Sequence, residues 1–547
     1  MLENSTNPEN GGEKKVSGAY KWVVLSNTTI AVLMATIDTS IVIIALPYLL
    51  QSIQANMPGG TAPATSTAYA IASANSFVDV IWVMMGYMLV TATFLLFFGR
   101  LADIKGRVRI YNAGFAVFTI GSLLTGLSGL IIPNSLLTEG LQMIVFRLLQ
   151  AVGAAMLWSN SAALLTDAFP SNQRGLALGI NMVAAIGGSV LGLILGGVVT
   201  AVASWRYIFF INVPIGAFGT IWAYLRLKER ASIRPNQRLD IAGSFLFSGA
   251  IALLLIGATF FTLGEMTSGS SPGSAFYNTF HGYLNYSYIL IAAFPVVLGL
   301  FVVNEVYFTD HPMIKFSLFK SRMYTAGVLA SSLQSVGRGG ITFLMVFYFE
   351  GVRGLSAFNA GLAIIPMSLG FLVVGPLSGI LSDRIGYRLL TTTGIAISAA
   401  AIFAISQMPQ SASALEATAI LAVAGIGGGM FASPNVSAIM GSVNPEDRGS
   451  GAAANSTLMN VASMLAITVA FVFIGTTVNI SGFTSLFIGT VDNLPSSIVN
   501  SVQYQSQWVQ FMHAFHSVFF VFTFAVLLAI IPSALRPRGL IKSKPAA

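Results

Sequence analysis

A chain of 547 residues with 55% hydrophobic and 8% charged residues lies far from soluble domains, where roughly a quarter of residues are charged. The bilayer is its expected solvent and one transmembrane body its expected organisation. The absence of cysteine excludes disulfides, thiolate metal sites and cysteine nucleophiles, and the net charge of +8 points by its placement to membrane topology rather than to nucleic acid.

Residues 1–21 carry Glu3, Glu9, Glu13, Lys14 and Lys15 and lack the basic start and short apolar core of a cleaved leader. They read as a cytoplasmic tail, with the first helix as the insertion signal. Runs of about 20 apolar residues mark spans, and they predict helices over 22–50, 80–98, 110–132, 141–164, 176–203 and 207–225, an N-terminal half of residues 22–225. Two more, 241–262 and 286–306, lie in an insert of residues 226–325. Six others, 327–349, 359–380, 390–405, 417–440, 453–476 and 511–531, make a C-terminal half of residues 326–531, followed by a basic cytoplasmic tail, 532–547. The expected fold class is an all-α polytopic membrane protein of about fourteen transmembrane helices, arranged 6+2+6.

Of the 27 Lys and Arg, 23 fall on one side of this map, two (Arg206 and Arg353) on the other, and two (Arg147 and Arg338) inside helices. The crowded side is cytoplasmic by the positive-inside rule, which puts both termini in the cytoplasm of a cell-membrane protein. The opposite loops 51–77, 264–285 and 479–508 are rich in Ser, Thr, Asn, Gly and Pro and read as surface.

After helix 2 the chain reads GRLADIKGRVR, and after helix 10 GILSDRIGYR. Gly99, Leu101, Asp103 and Gly106 match Gly379, Leu381, Asp383 and Gly386 at one offset. AVGAAM from Ala151 is echoed by GIGGGM from Gly425, each followed further on by Arg-Gly, Arg174-Gly175 and Arg448-Gly449. Such doubling is the mark of repeat-built secondary transporters, whose site lies between the halves.

With these motifs the chain resembles the major facilitator superfamily, and within it the fourteen-helix drug:proton antiporter family. GRLADIKGRVR is similar to the superfamily motif between helices 2 and 3. IDTSIVIIALP from Ile37, FRLLQAVGAA with Arg147, Gln150 and Gly153, and SWRYIFFINVPIG from Ser204 are similar to motifs of helices 1, 4 and 6. Helix 5 resembles the antiporter motif at Gly179, Gly188, Gly192, Gly196 and Gly197, with Leu193 where that motif has proline. The resemblance implies a major facilitator fold, export of small amphiphilic compounds against protons, and a proton-linked role for Asp38 and Arg147.

The residues carry a reading of their own. An acid at mid-helix costs roughly 2.5–3.5 kcal/mol on insertion scales and marks function; burial favours its neutral form, so Asp38 is a candidate proton carrier. Asn27, about three turns earlier, faces the same way and gives helix 1 a polar stripe suited to a water-filled cavity; Asn27, Gln150, Trp158, Gln334 and Arg338 are the candidate substrate-cavity residues. Arg147, with Gln150 and Trp158 on its face, is the natural counter-charge. Arg338, with Ser331 and Gln334 on its face, either lines a substrate cavity or pairs with Glu350. Gly188, Gly192 and Gly196 recur every fourth residue, and with Gly197 they suit close helix packing. Asp103, Arg107, Asp383 and Arg384 form, by the resemblance, a cytoplasmic gating latch. His513 and His516 lack a third ligand, so no metal is expected.

No Gly-Lys dipeptide occurs, which excludes a phosphate-binding loop and an ATP-driven pump. No Ser/His/Asp arrangement sits at helix midplanes, so no enzyme and no cofactor are expected. The partners expected are the lipid bilayer, protons and a small amphiphilic substrate, with the chain monomeric and nucleic acid absent. The rival readings are a proton symporter or facilitator for a metabolite and, more distantly, a non-transport membrane sensor.

Overall fold

The computed structural model describes residues 18–62, 66–134, 136–170, 173–229, 240–266, 275–309, 312–444, 448–478 and 502–536. Their regular structure is helical throughout. The long helices are α1 (Gly18–Ala55), α2 (Thr67–Lys105), α3 (Arg107–Gly126), α4 (Glu139–Ala168) and α5 (Arg174–Val202), then α6 in two pieces broken at Ile211 (Tyr207–Phe210 and Asn212–Arg226). The insert supplies α7 (Ile241–Met266) and α8 (Ala275–Val303), and the rest are α9 (Arg322–Phe347), α10 (Ala357–Ile385), α11 (Tyr387–Ser406), α12 (Ala414–Gly441), α13 (Arg448–Thr477) and α14 (Val502–Leu528).

Thirteen of these fourteen are long and apolar enough to cross a membrane. The exception is α9, where Arg322, Ser331, Ser332, Gln334, Ser335 and Arg338 break the apolar run. Ser331 and Ser335 are buried, so this polar face meets protein. Ile120, Phe218, Ile221, Phe245 and Ile289 are exposed on other helices, a surface that lipid covers. The chain is a multi-pass membrane protein.

Two loops expected from the sequence are corrected. Within 51–77, α1 runs on to Ala55 and α2 starts at Thr67, capped by Ser66 accepting from the Tyr69 N–H. Ser73 and Ser76 broke the apolar run, yet both are buried in that first stretch of α2. Within 264–285, α8 begins at Ala275. Most of 479–508 lies outside the described residues.

The internal repeat has a backbone counterpart. Gly106 (φ 107°) and Gly386 (φ 85°) each end one helix and begin the next, with their N–H groups on Ala102 O and Ser382 O. Both sit at positive φ, where a side chain is strained. The second echo is also structural: Gly153 lies against Gly114 and Phe118 of α3, and Gly427 against Gly394 and Ser398 of α11.

With an even number of crossings, α1 starts and α14 ends at the same end of the bundle, the terminal end. Contacts between α1–α6 and α9–α14 gather at the opposite, far end. A Cβ on Gly361 of α10 would come within 2.8 Å of Leu193 O on α5, and one on Gly197 would overlap the Phe358 backbone. Phe77 of α2 meets Phe471 of α13 edge-on at 5.4 Å, and Phe471 meets Phe343 of α9 at 5.0 Å. At the terminal end, Leu176 and Met182 of α5 and Leu377, Ile380 and Leu381 of α10 are exposed. Among the described residues the close contacts between the two halves lie at the far end, which leaves the halves closed there and apart at the terminal end.

The inserted pair joins this body through α7, which lies over α2 and α13. Ile81 and Met85 of α2, Thr259 and Leu263 of α7, and Thr468 of α13 line one small apolar cavity there. The terminal ends of α7 and α8 are tied by Asn304, whose Nδ2 donates to both oxygens of Asp240 at 3.2 and 3.0 Å. Arg100 of α2 donates to Pro312 O just beyond them.

Candidate functional site

Asp38 stands midway along α1 and is fully buried with Arg147, Gln150, Ser122 and Asn212. Arg147 Nη1 donates to Asp38 Oδ2 at 2.6 Å and to Gln150 Oε1 at 2.7 Å. Asp38 Oδ1 accepts from Gln150 Nε2 and Asn212 Nδ2, both at 2.8 Å. Gln150 Nε2 also donates to Ser122 Oγ, and the Arg147 guanidinium lies 4.2 Å from the centre of the Tyr87 ring. Five helices, α1, α2, α3, α4 and α6, meet at this one charge pair.

Local sequence makes the meeting possible. Gly121 of α3 lies against the Gln150 backbone, where a Cβ would fall 2.6 Å from Gln150 Cα, so α3 and α4 approach closely and Ser122 reaches Gln150. The break at Ile211 puts Asn212 at the head of the second piece of α6. A buried ion pair is stabilising only when its remaining hydrogen-bonding capacity is also met, and here both carboxylate oxygens are.

The Asp38–Arg147 contact is the charge pair the sequence offered, whereas Gln150, expected to line a substrate cavity, is fully buried in this cluster. Asn212 and Ser122 were missed, although Asn212 lies inside the quoted SWRYIFFINVPIG. Asn27 sits elsewhere: it is buried against α6, with Nδ2 donating to Gly219 O at 3.4 Å and its own carbonyl accepting from Tyr111 Oη. Trp158 packs with the core around Tyr111, Leu157 and Val24 rather than beside Arg147. These two join helices, because helical periodicity fixes a face but not which neighbour covers it.

In the second half, Gln334 Nε2 donates to Ser398 Oγ of α11 at 2.8 Å. Arg338 is exposed. It makes no ion pair with Glu350, or with any other acid among the described residues. Of the two readings the sequence left open, the pair with Glu350 is absent.

The small residues do what their spacing suits. Gly188, Gly192 and Gly196 lie along α1, where side chains would meet Leu33 O at 2.9 Å, Ile37 O at 2.6 Å and Ile41 O at 3.0 Å. Gly197 faces α10 across the far end. The face of α1 next to Asp38 is thereby held directly against α5.

At the terminal end Asp103 Oδ1 accepts from Arg107 Nε at 3.0 Å and Nη2 at 2.9 Å, and Arg107 Nη1 donates to both oxygens of Asp167. Glu229 adds a carboxylate on the Val108 N–H at 2.9 Å. These contacts join the terminal ends of α2, α3 and α4 to Glu229, just beyond α6. Arg384 is exposed, and the Asp383 side chain lies outside the described ones. If these charges latch the terminal end, the latch is released here. Asp103→Ala is then expected to hold the protein in this terminal-open form, read as an unchanged long distance between spin labels at Leu176→Cys and Leu381→Cys under conditions that shorten it in the parent. A parent-like shortening in the variant removes Asp103 from the latch.

A sequence model of the Major Facilitator Superfamily matches residues 28–467. The chain is 29% identical over 445 residues to the riboflavin transporter RibZ of Clostridioides difficile, covering 81% of this chain and 86% of that one. It is 32% identical over 460 residues to the cephamycin export protein CmcT of Amycolatopsis lactamdurans, covering 82% and 83%. Among solved structures, a bacterial homologue of the human lysosomal transporter Spinster superposes with a TM-score of 0.60 at 14% identity, covering 95% of this chain and 97% of that one. A paired-motif repeat, a 6+2+6 helical body with halves closed at one end, and a family match over most of its length place this chain in the major facilitator superfamily of membrane transporters.

Proposed function

We propose that the protein is a proton-coupled exporter of small amphiphilic compounds in the cell membrane, working by alternating access with both termini in the cytoplasm. The observation that carries this reading is the buried Asp38–Arg147 pair. Asp38 is a carboxylate shut away from solvent in this conformation, held by three donors from two helices, α4 and α6. Protonation removes the charge that Arg147, Gln150 and Asn212 converge on, so a proton gained or lost at Asp38 changes how α1 sits against α4 and α6. Because α1 also lies on the glycine face of α5, and α5 meets α10 at the far end, that change bears on the contact between the halves. Proton exchange itself requires a conformation in which Asp38 is hydrated.

Fourteen helices, basic loops at the terminal end and the export named for CmcT support the outward direction. A second reading, symport or facilitated passage of a metabolite, is favoured by the substrate named for RibZ and by Leu193 in place of the antiporter proline. Proteoliposomes with a trapped pH dye separate them. Antiport predicts substrate efflux with proton influx, symport predicts movement of both in one direction, and substrate flux without proton movement identifies a facilitator.

Arg338 sets a further expectation. A cation within a low-dielectric space without an acid partner recruits water, a carbonyl or the substrate. Lipophilic weak acids, zwitterions and neutral amphiphiles are therefore expected to be carried better than lipophilic cations. Arg338→Gln should weaken transport of the acids by about tenfold, the worth of one charge-assisted hydrogen bond, with little effect on neutral compounds. Strong transport of quaternary ammonium dyes that is indifferent to the substitution would show that Arg338 is structural.

A further inference from the structure

Glu350 lies beyond the last turn of α9, in a wide π-helical turn over Tyr348–Val352, a geometry that recurs at functional sites. It is 4% exposed, and its Oε1 is buried without a hydrogen-bond partner. Its neighbour across the seam is Tyr48 of α1, close enough to feel its charge. Phe347, just before it, lines one small apolar cavity with Leu46, Pro47 and Leu50 of α1 in the far-end seal. Glu350 therefore sits where the two halves close, not in the space between them.

No cation answers it. Two basic residues, Arg206 and Arg353, were assigned to the far side of the chain. Arg206 Nη2 binds Glu139 at 2.6 Å, and Arg353 Nη1 donates to Gln410 O at 3.3 Å. The undescribed far-side segments 63–65, 267–274 and 479–501 contain no Lys, Arg or His. On the other packed elements the titratable groups are Tyr48 on α1, Glu416 at the head of α12, and His513 and His516 on α14, of which His516 Nε2 is bonded to Met408 O at 2.8 Å. An ionised carboxylate enclosed here would be an unpaired buried charge, which costs several kcal/mol.

We propose that Glu350 is a proton-binding site built into the far-end seal. It is neutral while the halves are closed there and ionised once they part and water reaches it. A proton taken from the far compartment then becomes a condition for closing the seal, and its release accompanies opening. As a step of the transport cycle this rests on the proton-coupled reading above, but the seam can be read without substrate or gradient.

The chain has no native cysteine, so Val202→Cys at the far end of α5 and Leu415→Cys at the head of α12, both strongly exposed, can carry one spin-label pair. In lipid nanodiscs the far-end distance distribution of the parent should shift from short to long as pH rises. Glu350→Gln, which copies the neutral acid, should keep the short population at every pH; Glu350→Leu is the substitute if the amide variant is not recovered. A parent with no pH response, or a Glu350→Gln variant that keeps the parental one, overturns the proposal. Loss of proton exchange in the liposome assay with a seam that still responds through Glu350 would instead sink the antiport reading alone.

Discussion

Asp38→Asn is expected to reduce transport driven by an imposed pH gradient to the level of protein-free liposomes while the protein still inserts and folds. The amide keeps an acceptor for Gln150 and Asn212, and Arg147 retains Gln150 Oε1, the Val83 carbonyl and the Tyr87 ring. What is lost is the one titratable oxygen pair in the cluster. The variant should be somewhat less stable, because its NH2 group now faces the guanidinium and a buried unmet donor costs about 1–3 kcal/mol. Detergent extraction and thermal melting check the fold, and the pH-gradient assay checks the function. Parental rates in a folded Asn variant would remove Asp38 from the mechanism.

Arg147→Met should be more damaging to the fold than any other substitution in the site. Removing one partner of a buried pair leaves the other charge uncompensated, at a cost of about 3–5 kcal/mol, and Asp38 would keep only two neutral amide donors. The expected result is a large fall in recovered folded protein and in melting temperature. A cycle closes the argument: Asp38→Asn/Arg147→Met should be more stable than Arg147→Met alone, because the stranded carboxylate is gone, and comparing that difference with the effect of Asp38→Asn in the parent gives the coupling between the two residues. An Arg147→Met variant as stable as the parent would show that the 2.6 Å contact contributes nothing to the fold.

Much of this was legible in the sequence for physical reasons. Asp38 and Arg147 stand out because a charge in a long apolar run is expensive and rare. Gly106 and Gly386 stand out because a doubled motif repeats their spacing, and in the structure each holds a positive φ where two helices join. Other residues were silent. Ser122 and Asn212 are small polar groups of a kind that helices often satisfy on their own backbones, and their meeting with Asp38 depends on how α3 and α6 dock. Glu350 entered the sequence reading only as a possible partner of Arg338, whereas the extra turn after Phe347 buries it. The first stretch of α2 was read as loop because Ser73, Asn75 and Ser76 interrupt the apolar run, although the far-end packing buries both serines.

The inserted pair gives the two flanks of the molecule different relations to the membrane around it. On the flank where α2 meets α13, α7 lies across the junction like a shutter. On the opposite flank, α5 and α10 touch at Leu193, Gly197, Phe358 and Gly361, and their terminal ends show exposed leucine, isoleucine and methionine side chains with no helix over them among the described residues. A compound dissolved in the leaflet at the terminal end thus meets a shuttered wall on one flank and an apolar doorway on the other. For the amphiphile carrier proposed above, sideways partitioning would enter on the α5–α10 flank, and the width of that approach would vary with the separation of α5 and α10.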